Sequence, residues 1–505
     1  MGSFPMEKMC TRDILLCLWS VGGILGLQSS WPQPEFRGAW VVTLANIGWP
    51  SSRHLTTAEQ KDELVSLLDK LKVANFNAVI LQIRPTSDTF YQSTMEPWST
   101  YLTGVQGVPP NPFYDPLEFA IAEAHARGME LHGWLNPYRA RTISNNTEGL
   151  APNHIAKRFP QYAYAYGRLL WMDPGAKPVI DFIHAVMMDI VRRYDIDGIH
   201  IDDYFYPYPL ENTDIPEENK YVDFPDENTY QQYRKDGGLL SKADWRRENV
   251  DALVWNISRC IQHEKPHVKF GISPFGIWKD GHPPGVRGFS AFDEIYADSK
   301  KWLSEGWVDY LAPQLYWRIG EHHHSYETLL DWWLHQNSHF RHVYAGIAVS
   351  FVAKGKWKIN DIVQQVNKSR SSRRELSLGN IHFRDIYINE NSKGIADMFK
   401  EVLYRSPARV PPMNWKNNTR VKAPSTVTCK QGFVTWDRDN LEDVKNWVIY
   451  VHSVDVQNDS WAVVNVLGRQ IRKYKMDKGG KYALTAVNRY DVESEPTYFA
   501  NVGET

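Results

Sequence analysis

The chain has 505 residues, with 57 Lys and Arg against 59 Asp and Glu, so its formal net charge is −2. This length exceeds an average domain and the 43% hydrophobic content excludes a disordered chain, so we expect one large domain or two domains. The lack of basic excess argues against a binder of nucleic acid or anionic membranes. The aromatic content of 13% is unusual, because Trp and Tyr pack in cores and also stack on sugar rings.

The first thirty residues have the pattern of a secretory signal peptide. Lys8 and Arg12 precede an apolar run at 14–27, which is shorter than the roughly 20 residues of a membrane span. An uncleaved signal anchor is the alternative, since Glu7 and Asp13 dilute the basic flank. We expect a signal peptide at 1–30 and a secreted, extracellular protein that has no membrane contact after cleavage.

Processing signals in the remaining chain fit this compartment. Cys260 and Cys429 fall in different predicted domains, so no disulfide framework is implied. N-glycosylation is predicted at five sequons, which are Asn145, Asn256, Asn367, Asn417 and Asn458.

Short apolar strands alternate with amphipathic helices over residues 31–402. The eight predicted strands are 38–43, 78–83, 130–135, 198–202, 268–273, 310–316, 343–348 and 381–384. Eight such units predict an α/β fold, a (β/α)8 TIM-type barrel. An open doubly wound sheet is the alternative. The first strand is not followed by a Gly-rich phosphate-binding turn, and this absence argues against that alternative.

Helix ends are marked by capping residues. Thr57 to Gln60 predicts a capping box, Asp115 with Pro116 begins a second helix, and a third begins at about Ser241. The connection at 205–240 is long and rich in Tyr, Asp, Glu and Pro, which predicts a lid or cleft wall.

The pattern changes after the predicted barrel. Prolines and asparagines at 403–420 predict a linker, and alternating segments at 421–505 predict a small all-β sandwich. Its closing stretch at 481–496 resembles the last hairpin of a fibronectin type III domain. Three tryptophans inside predicted elements are core candidates, namely Trp255, Trp436 and Trp447.

Two adjacent acids end the fourth predicted strand. Strand alternation points His200, Asp202 and Tyr204 into the barrel, and Asp203 to the opposite side with the isoleucines. A carboxylate at the barrel mouth can move a proton or stabilise positive charge at an anomeric carbon, so Asp202 and Asp203 are the catalytic candidates. The alternative is that both only cap the next loop or bind an arginine.

Glycoside hydrolysis usually needs a second carboxylate or a neighbouring group of the substrate. Candidates at the same mouth are Asp88, Asp280, Glu294, Glu321 and Asp385. Donors and stacking surfaces for a polyhydroxylated ligand are Arg84, His132, Asn136, Arg139, Tyr204, Gln314, Tyr316 and Trp317. Consecutive histidines at 322–324 cannot converge on one ion, so we expect neither a metal nor a cofactor.

Seven segments carry a family resemblance, at 36–41, 46–51, 82–85, 97–99, 134–139, 197–207 and 307–317. In matching order they resemble the glycosyl-hydrolase-like family 10, mostly bacterial cell-envelope lipoproteins. The resemblance implies a TIM-type barrel acting on β-linked amino-sugar polymers such as peptidoglycan glycan strands, with Asp202 and Asp203 as the paired acids. The bacterial lipobox cysteine is missing, so the lipid anchor is not implied.

A weaker similarity is to family 18 chitinases, whose fourth strand ends in a D-G-x-D-x-D-x-E pattern. Asp197, Gly198 and Asp202 match, but His200 replaces an Asp and Tyr204 stands where the acid Glu would be. The chitinase proton donor therefore does not transfer, while Gln314 and Tyr316 stand where those enzymes hold an N-acetyl group.

The sequence thus predicts a glycosidase that cleaves an N-acetylhexosamine-containing polysaccharide. The missing Glu at Tyr204 keeps open a catalytically inactive carbohydrate-binding or matrix protein. A polysaccharide deacetylase would need a His and Asp metal set, and the sequence lacks that pattern.

Overall fold

The computed structural model describes residues 31–211, 221–437, 443–455 and 458–501, so the predicted signal peptide lies outside it. Eight parallel strands close into a barrel in sequential order. They are β1 Phe36–Val41, β2 Ala78–Arg84, β3 Glu130–Leu135, β4 Gly198–Ile201, β5 Lys269–Ile272, β6 Tyr310–Leu311, β7 His342–Ile347 and β8 Ser377–His382. The predicted TIM-type barrel is confirmed, and closure excludes the doubly wound sheet.

Helices follow the strands and form the outer layer. They are α1 Thr57–Val73, α2 Pro116–Ala126, α3 Lys177–Arg193, α4 Lys242–Glu264, α5 Ser299–Ser304, α6 Tyr326–His335 and α7 Ile359–Ser371. After β8 come Asp385–Asn389, Ile395–Asp397 and the π-helical Met398–Leu403. Other helical segments are Leu44–Asn46, Thr100–Thr103, Ile155–Arg158, Pro160–Tyr162, Glu227–Lys235, Ala291–Glu294, Ser350–Ala353, Arg373–Glu375 and Ser392–Gly394.

The helix starts follow the predicted caps with one shift. Asp115 accepts hydrogen bonds from the first turn of α2, and Ser241 caps α4, as predicted. The capping box of α1 is formed by Thr56 and Glu59, one residue before the predicted pair, because Thr56 has the extended backbone that an N-cap requires.

Strand alternation separates two apolar layers. Side chains that point into the barrel, such as Phe36, Trp40, Tyr310 and Tyr344, form one buried cluster. Side chains that point outward join the helices in a larger cluster. The inward-pointing side chains fill the middle of the barrel, so within the described part of the barrel a ligand would be held at one of its ends.

Two excursions enlarge the C-terminal face of the barrel. Arg139–Arg141, Ala163–Tyr166 and Leu169–Met172 form a three-stranded antiparallel sheet after β3. After β4, Leu210–Glu211 pairs with Tyr221–Val222. Residues 212–220 of the predicted wall lie outside the described residues.

Seven further strands form the part of the chain that we call the C-terminal module, residues 427–501. They are β9 Val427–Lys430, β10 Phe433–Trp436, β11 Asn446–Asp455, β12 Asn458–Gly468, β13 Lys473–Lys475, β14 Gly480–Val487 and β15 Thr497–Asn501. Three of them pair in the order β9-β10-β13 and four in the order β12-β11-β14-β15. Two antiparallel sheets fit a sandwich, and the fibronectin type III assignment stays a prediction.

Trp436 and Trp447 are buried between these strands, as predicted. The prediction for Trp255 is wrong, because its side chain lies on the solvent face of α4 and is 45% exposed.

Residues 403–420, predicted as a linker, lie against the N-terminal end of the barrel. The Arg409 carbonyl accepts a hydrogen bond from the Glu35 N–H at 2.8 Å, and Lys416 Nζ lies 2.6 Å from Asp309 Oδ2. Val410 and Met413 are buried. This segment therefore fastens the C-terminal module to the barrel.

Three predicted glycosylation sites, Asn145, Asn256 and Asn367, are exposed, and Asn417 is partly exposed. The Asn458 side chain is not among those described. Cys260 and Cys429 are free thiols. Within the described ranges, no helix is both long and apolar enough to cross a bilayer.

Candidate active site

A cavity of about 350 Å³ opens at the C-terminal ends of the barrel strands. Its floor consists of the last inward-facing side chains of the strands or the residues just after them, including Trp40, Gln82, Trp134, Asp202 and Gln314. The loops add a largely aromatic wall of Tyr204, Tyr208, Phe275, Tyr316 and Phe383. A small pocket with many rings and few polar groups suits a sugar ring.

Asp202 is held from three directions. Its carboxyl group accepts hydrogen bonds from Trp134 Nε1 at 3.0 Å, from Asn136 Nδ2 at 3.2 Å and from the Tyr204 backbone N–H at 3.4 Å. Burial, with the adjacent Asp203 charge as a second cause, raises the pKa of Asp202 to about 7. Its orientation is fixed while it keeps a proton near neutral pH, as a general acid requires.

Asp203 lines the same cavity, which corrects the prediction that it points to the opposite side. The reason is that β4 ends at Ile201, so residues beyond it no longer alternate. Tyr208 donates its hydroxyl proton to Asp203. Burial raises the pKa of Asp203, while hydrogen bonds from Tyr208 and Gln314 act in the opposite direction.

Four predicted sugar-binding residues line the cavity, namely Arg139, Tyr204, Gln314 and Tyr316. The Arg139 guanidinium lies 4.8 Å above the centre of the Tyr204 ring. Gln314 Nε2 donates to the Ser273 carbonyl at 3.1 Å. Arg139 follows β3, Tyr204 follows β4, and Gln314 and Tyr316 follow β6, so these residues flank the acids on both sides of β4.

Arg84 lies outside the cavity. A register shift between Gln82 and Arg84 pairs Arg84 with the outward-facing Leu135, which turns its side chain away from the interior. Its Nη2 is 2.5 Å from Glu96 Oε1, and its Nη1 donates to the Asn136 carbonyl at 2.5 Å. Arg84 therefore supports the loop after β3 and does not face a ligand.

Three other predicted contacts also lie away from the cavity wall. Asn136 is fully buried and reaches Asp202 with its amide. His132 lies deeper, because it precedes Trp134 by two positions on β3 and is bonded to Glu130. The Trp317 ring packs edge-on against Phe275, behind the wall.

None of the five candidates for a second carboxylate lines the cavity. Asp88 lies in a neighbouring cavity of about 260 Å³ with Thr86 and Gln106. Glu294 lines a third cavity, beside Tyr206. Asp280 is exposed, Glu321 is paired with His324 at 3.4 Å, and Asp385 is buried at the start of the helix after β8. Asp202 and Asp203 are thus the carboxylates of this cavity among the described residues.

Sequence reasoning missed several lining residues, namely Trp40, Gln82, Ser273, Phe275 and Phe383, whereas Tyr208 belongs to the predicted cleft wall. The inward positions of β1 and β2 could have indicated Trp40 and Gln82, since the same alternation identified Asp202. Tyr208 and Phe275 lie beyond strand ends, where no period fixes direction.

A larger cavity of about 580 Å³ lies between the barrel and the C-terminal module, lined by residues such as His125, Asp195 and Arg469. It is at the N-terminal end of the barrel, opposite the end where catalytic loops converge. In the ranges that the structure describes, no three His, Cys, Asp or Glu side chains are grouped to hold a metal ion.

Glycoside hydrolases are among the enzymes that use carboxyl groups, and in (β/α)8 barrels the active site lies at the C-terminal ends of the strands, where this cavity lies. The chain belongs to the glycosyl hydrolase-like 10 family, whose model matches residues 35–365.

Named relatives agree with this assignment. The chain is 39% identical over 465 residues to glycosyl hydrolase YngK of Bacillus subtilis, covering 87% of this chain and 86% of the relative. It is 34% identical over 391 residues to glycosyl hydrolase DigH of Escherichia coli K12, covering 72% and 85%. Among solved structures, the catalytic domain of a beta-amylase from Paenibacillus polymyxa matches at 11% identity with a TM-score of 0.49, covering 74% of this chain and 99% of that one.

Proposed function

We propose that this protein is a secreted glycosidase that cleaves an N-acetylhexosamine-containing polysaccharide, with Asp202 as its general acid. The observation that carries the proposal is a buried carboxyl group in the strand-end cavity, held by Trp134 and Asn136, whose surroundings raise its pKa to about 7. A carboxyl group with an ordinary pKa would be ionised at neutral pH and could not protonate a leaving oxygen.

Asp203 is assigned a different role. The other candidate acids lie outside the cavity, so among the described residues Asp203 is the one carboxyl group that lines it together with Asp202. Tyr208 stabilises the ionised form of Asp203 by donating a hydrogen bond. An ionised Asp203 can accept a hydrogen bond from an N–H of the substrate and orient that group.

These roles favour catalysis assisted by the substrate's own acetamido group. The acetamido oxygen attacks the anomeric carbon while the bond from that carbon to the glycosidic oxygen breaks. The Asp202 proton passes to the departing oxygen, and Asp203 accepts the acetamido N–H. Water then opens the resulting ring at the anomeric carbon and returns a proton to Asp202. Gln314 and Tyr316 line the same cavity, and the chitinase resemblance assigns them to the acetamido group.

The extracellular location rests on the sequence pattern at 1–30 and on the exposed sequons at Asn145, Asn256 and Asn367. The polysaccharide class rests on the aromatic cavity and on the family resemblance.

The substrate class is tested with matched oligosaccharides that differ only in N-acetylation. We expect the N-acetylated form to be cleaved at least about 100-fold faster, because only that form supplies the internal nucleophile. Equal rates on both forms would contradict substrate assistance.

A second candidate function follows from the position of the two acids. Asp202 and Asp203 are adjacent in the chain, so they lie together in the cavity and no acid of the described residues stands apart from them as a second catalytic group. The protein would then bind the same glycan without cleaving it. Binding of N-acetylated oligosaccharide with no new reducing ends, measured from pH 4 to 8, would support this inactive binder.

A further inference from the structure

A chain of hydrogen bonds runs through the barrel. It begins at the cavity floor, at the C-terminal ends of the strands, and ends at the N-terminal end of the barrel. Trp40 Nε1 is 3.2 Å from His200 Nε2, and His200 Nδ1 is 2.9 Å from the Tyr310 hydroxyl. That hydroxyl is 2.9 Å from His132 Nδ1, and His132 Nε2 is 2.9 Å from Glu130 Oε2. All five side chains are 3% exposed or less.

The two ends fix the direction of every bond in this chain. The Trp40 indole can only donate, so His200 Nε2 accepts and its Nδ1 carries the proton. Tyr310 accepts that N–H and donates its own proton to His132 Nδ1. His132 therefore carries its proton on Nε2 and donates it to the Glu130 carboxylate. An ionised carboxylate has no proton of its own, so it acts as the acceptor.

His200 is neutral in this scheme, in agreement with burial that lowers its pKa well below the ordinary range. A fully satisfied buried polar chain fixes the orientation of its members, because any rotation leaves a buried group unpaired.

Two glycines make room for the chain. A Cβ atom at Gly198 would lie 2.6 Å from His132 Nδ1, and one at Gly271 would lie 1.9 Å from the Tyr310 ring. Any larger residue at either position would displace a ring of the chain.

The lower end of the chain is closed by the C-terminal module. Glu130 Oε1 is bonded to Lys269 of β5 and to Lys445 of the module. Asp491 of the module binds the same two lysines, at 2.6 Å and 2.9 Å. The negative charge of Glu130, at the end of the hydrogen-bond chain, is therefore balanced partly by Lys445, which lies outside the barrel. The side chains of this charge cluster are largely shielded from solvent.

We propose that Trp40 is a sugar-contacting residue positioned by this axial chain, and that Lys445 makes the C-terminal module part of the machinery that positions it. The sugar contact rests on the proposed function, whereas the positioning of Trp40 does not. His200, Tyr310, His132 and Lys445 act as positioning residues, because none of them lines the cavity.

The positioning is tested without any substrate, by NMR of the full chain labelled with ¹⁵N at tryptophan. The Trp40 indole resonance is identified by its loss in Trp40→Phe. We expect it to shift in Tyr310→Phe, which removes one oxygen, and in Lys445→Met. It should not move in Lys481→Met, which alters an exposed lysine of the same module. An unchanged resonance in both Tyr310→Phe and Lys445→Met would overturn the proposal.

The consequence for the site is tested by a double-mutant cycle on oligosaccharide cleavage. His200→Phe should lower kcat/KM by about 10-fold to 100-fold through misplacement of Trp40. The same change in a Trp40→Phe background should have almost no further effect, because the residue that His200 positions is already altered. Lys445→Arg should restore most of the activity lost in Lys445→Met. Independent, multiplicative losses for His200 and Trp40 would overturn the coupling.

The two readouts separate this proposal from the proposed function. If the protein cleaves no glycan, the cycle is repeated on the dissociation constant for the oligosaccharide, and NMR still reports on Trp40. A shifted indole resonance with no cleavage contradicts the glycosidase only. Cleavage with an unmoved resonance contradicts the axial chain only.

Discussion

Trp134 Nε1 on β3 lies 3.0 Å from Oδ2 of Asp202, which directly follows the neighbouring strand β4. This hydrogen bond favours the ionised carboxylate, yet the pKa of Asp202 is raised to about 7 because burial and the Asp203 charge outweigh it. Trp134 therefore fixes where the carboxyl group points while its surroundings keep the proton on it. A positioned acid with a pKa near neutrality is what cleavage of a glycosidic bond requires.

The activity should fall on the alkaline side as Asp202 loses its proton. Because the general acid must be protonated, kcat/KM should decrease about 10-fold per pH unit above a pH of about 7. Initial rates of oligosaccharide cleavage from pH 4 to 9 measure this limb. A rate that stays constant up to pH 9 would contradict the role of Asp202.

Asp202→Asn should stabilise the protein at neutral pH. The native carboxyl group keeps its proton up to a pH of about 7, whereas the unfolded one loses it near 3.8. Between these values the native state binds more protons, so ionisation of Asp202 lowers the free energy of unfolding as the pH rises. The Asn side chain of the variant cannot ionise, so the free energy of unfolding of the variant does not decrease in this way. We expect Asp202→Asn to be more stable than the parent by up to a few kcal/mol at pH 7 and about as stable as the parent at pH 4.

Urea unfolding of both proteins at several pH values measures this difference. The comparison must be between variant and parent, because burial also raises the pKa of Asp88 and Asp173 to about 6 and that of Asp385 to about 7. If Asp202→Asn were less stable than the parent at pH 7, ionisation of Asp202 would not be what lowers the free energy of unfolding.

Tyr208→Phe should move the acid limb of the pH profile to higher pH. The change removes the hydrogen bond to Asp203 and keeps the ring that packs 5.0 Å from Phe289. Without that donor the pKa of Asp203 rises further, so its ionised form is lost at higher pH. We expect kcat/KM on the acid limb to fall about 10-fold and the value at the optimum to change much less. Tyr498→Phe, in an exposed side chain of the module, is the control.

Arg84→Met should mainly destabilise the fold. It leaves the Glu96 carboxylate buried without its partner, which costs about 3–5 kcal/mol of unfolding free energy. Urea unfolding measures the loss, and Arg259→Met on the exposed face of α4 should change stability by less than about 0.5 kcal/mol. Equal stability of Arg84→Met and the parent would contradict the supporting role of Arg84.

The sequence predicted the barrel because each strand has its own apolar run and because capping residues mark the starts of α1, α2 and α4. It also predicted His200 as inward-facing, since alternation holds as far as the strand continues, and Asp202, which directly follows the strand, keeps the same direction. The same rule failed one residue later, at Asp203, because β4 ends at Ile201 and the register that defines two faces ends with it.

Arg84 shows a second limit of the same kind. A bulge adds one residue to β2 and reverses the side to which Arg84 points, and nothing in the local residue types marks that bulge. The partners of buried charges could not be predicted from local sequence either, because Glu130 and Lys445, which are bonded to each other, are 315 positions apart in the chain. Local patterns thus define elements, while the composition of the site depends on where those elements stop and on distant contacts.

The central claim, that Asp202 protonates a glycosidic oxygen, is tested most directly by new reducing ends. The parent, Asp202→Asn and the exposed-loop control Asp280→Asn are incubated with N-acetylated chitin oligosaccharides and peptidoglycan glycan strands at pH 6. We expect release by the parent and by Asp280→Asn, and a loss of about 100-fold to 10,000-fold in Asp202→Asn with glycan binding retained. Equal release by all three proteins would contradict the account.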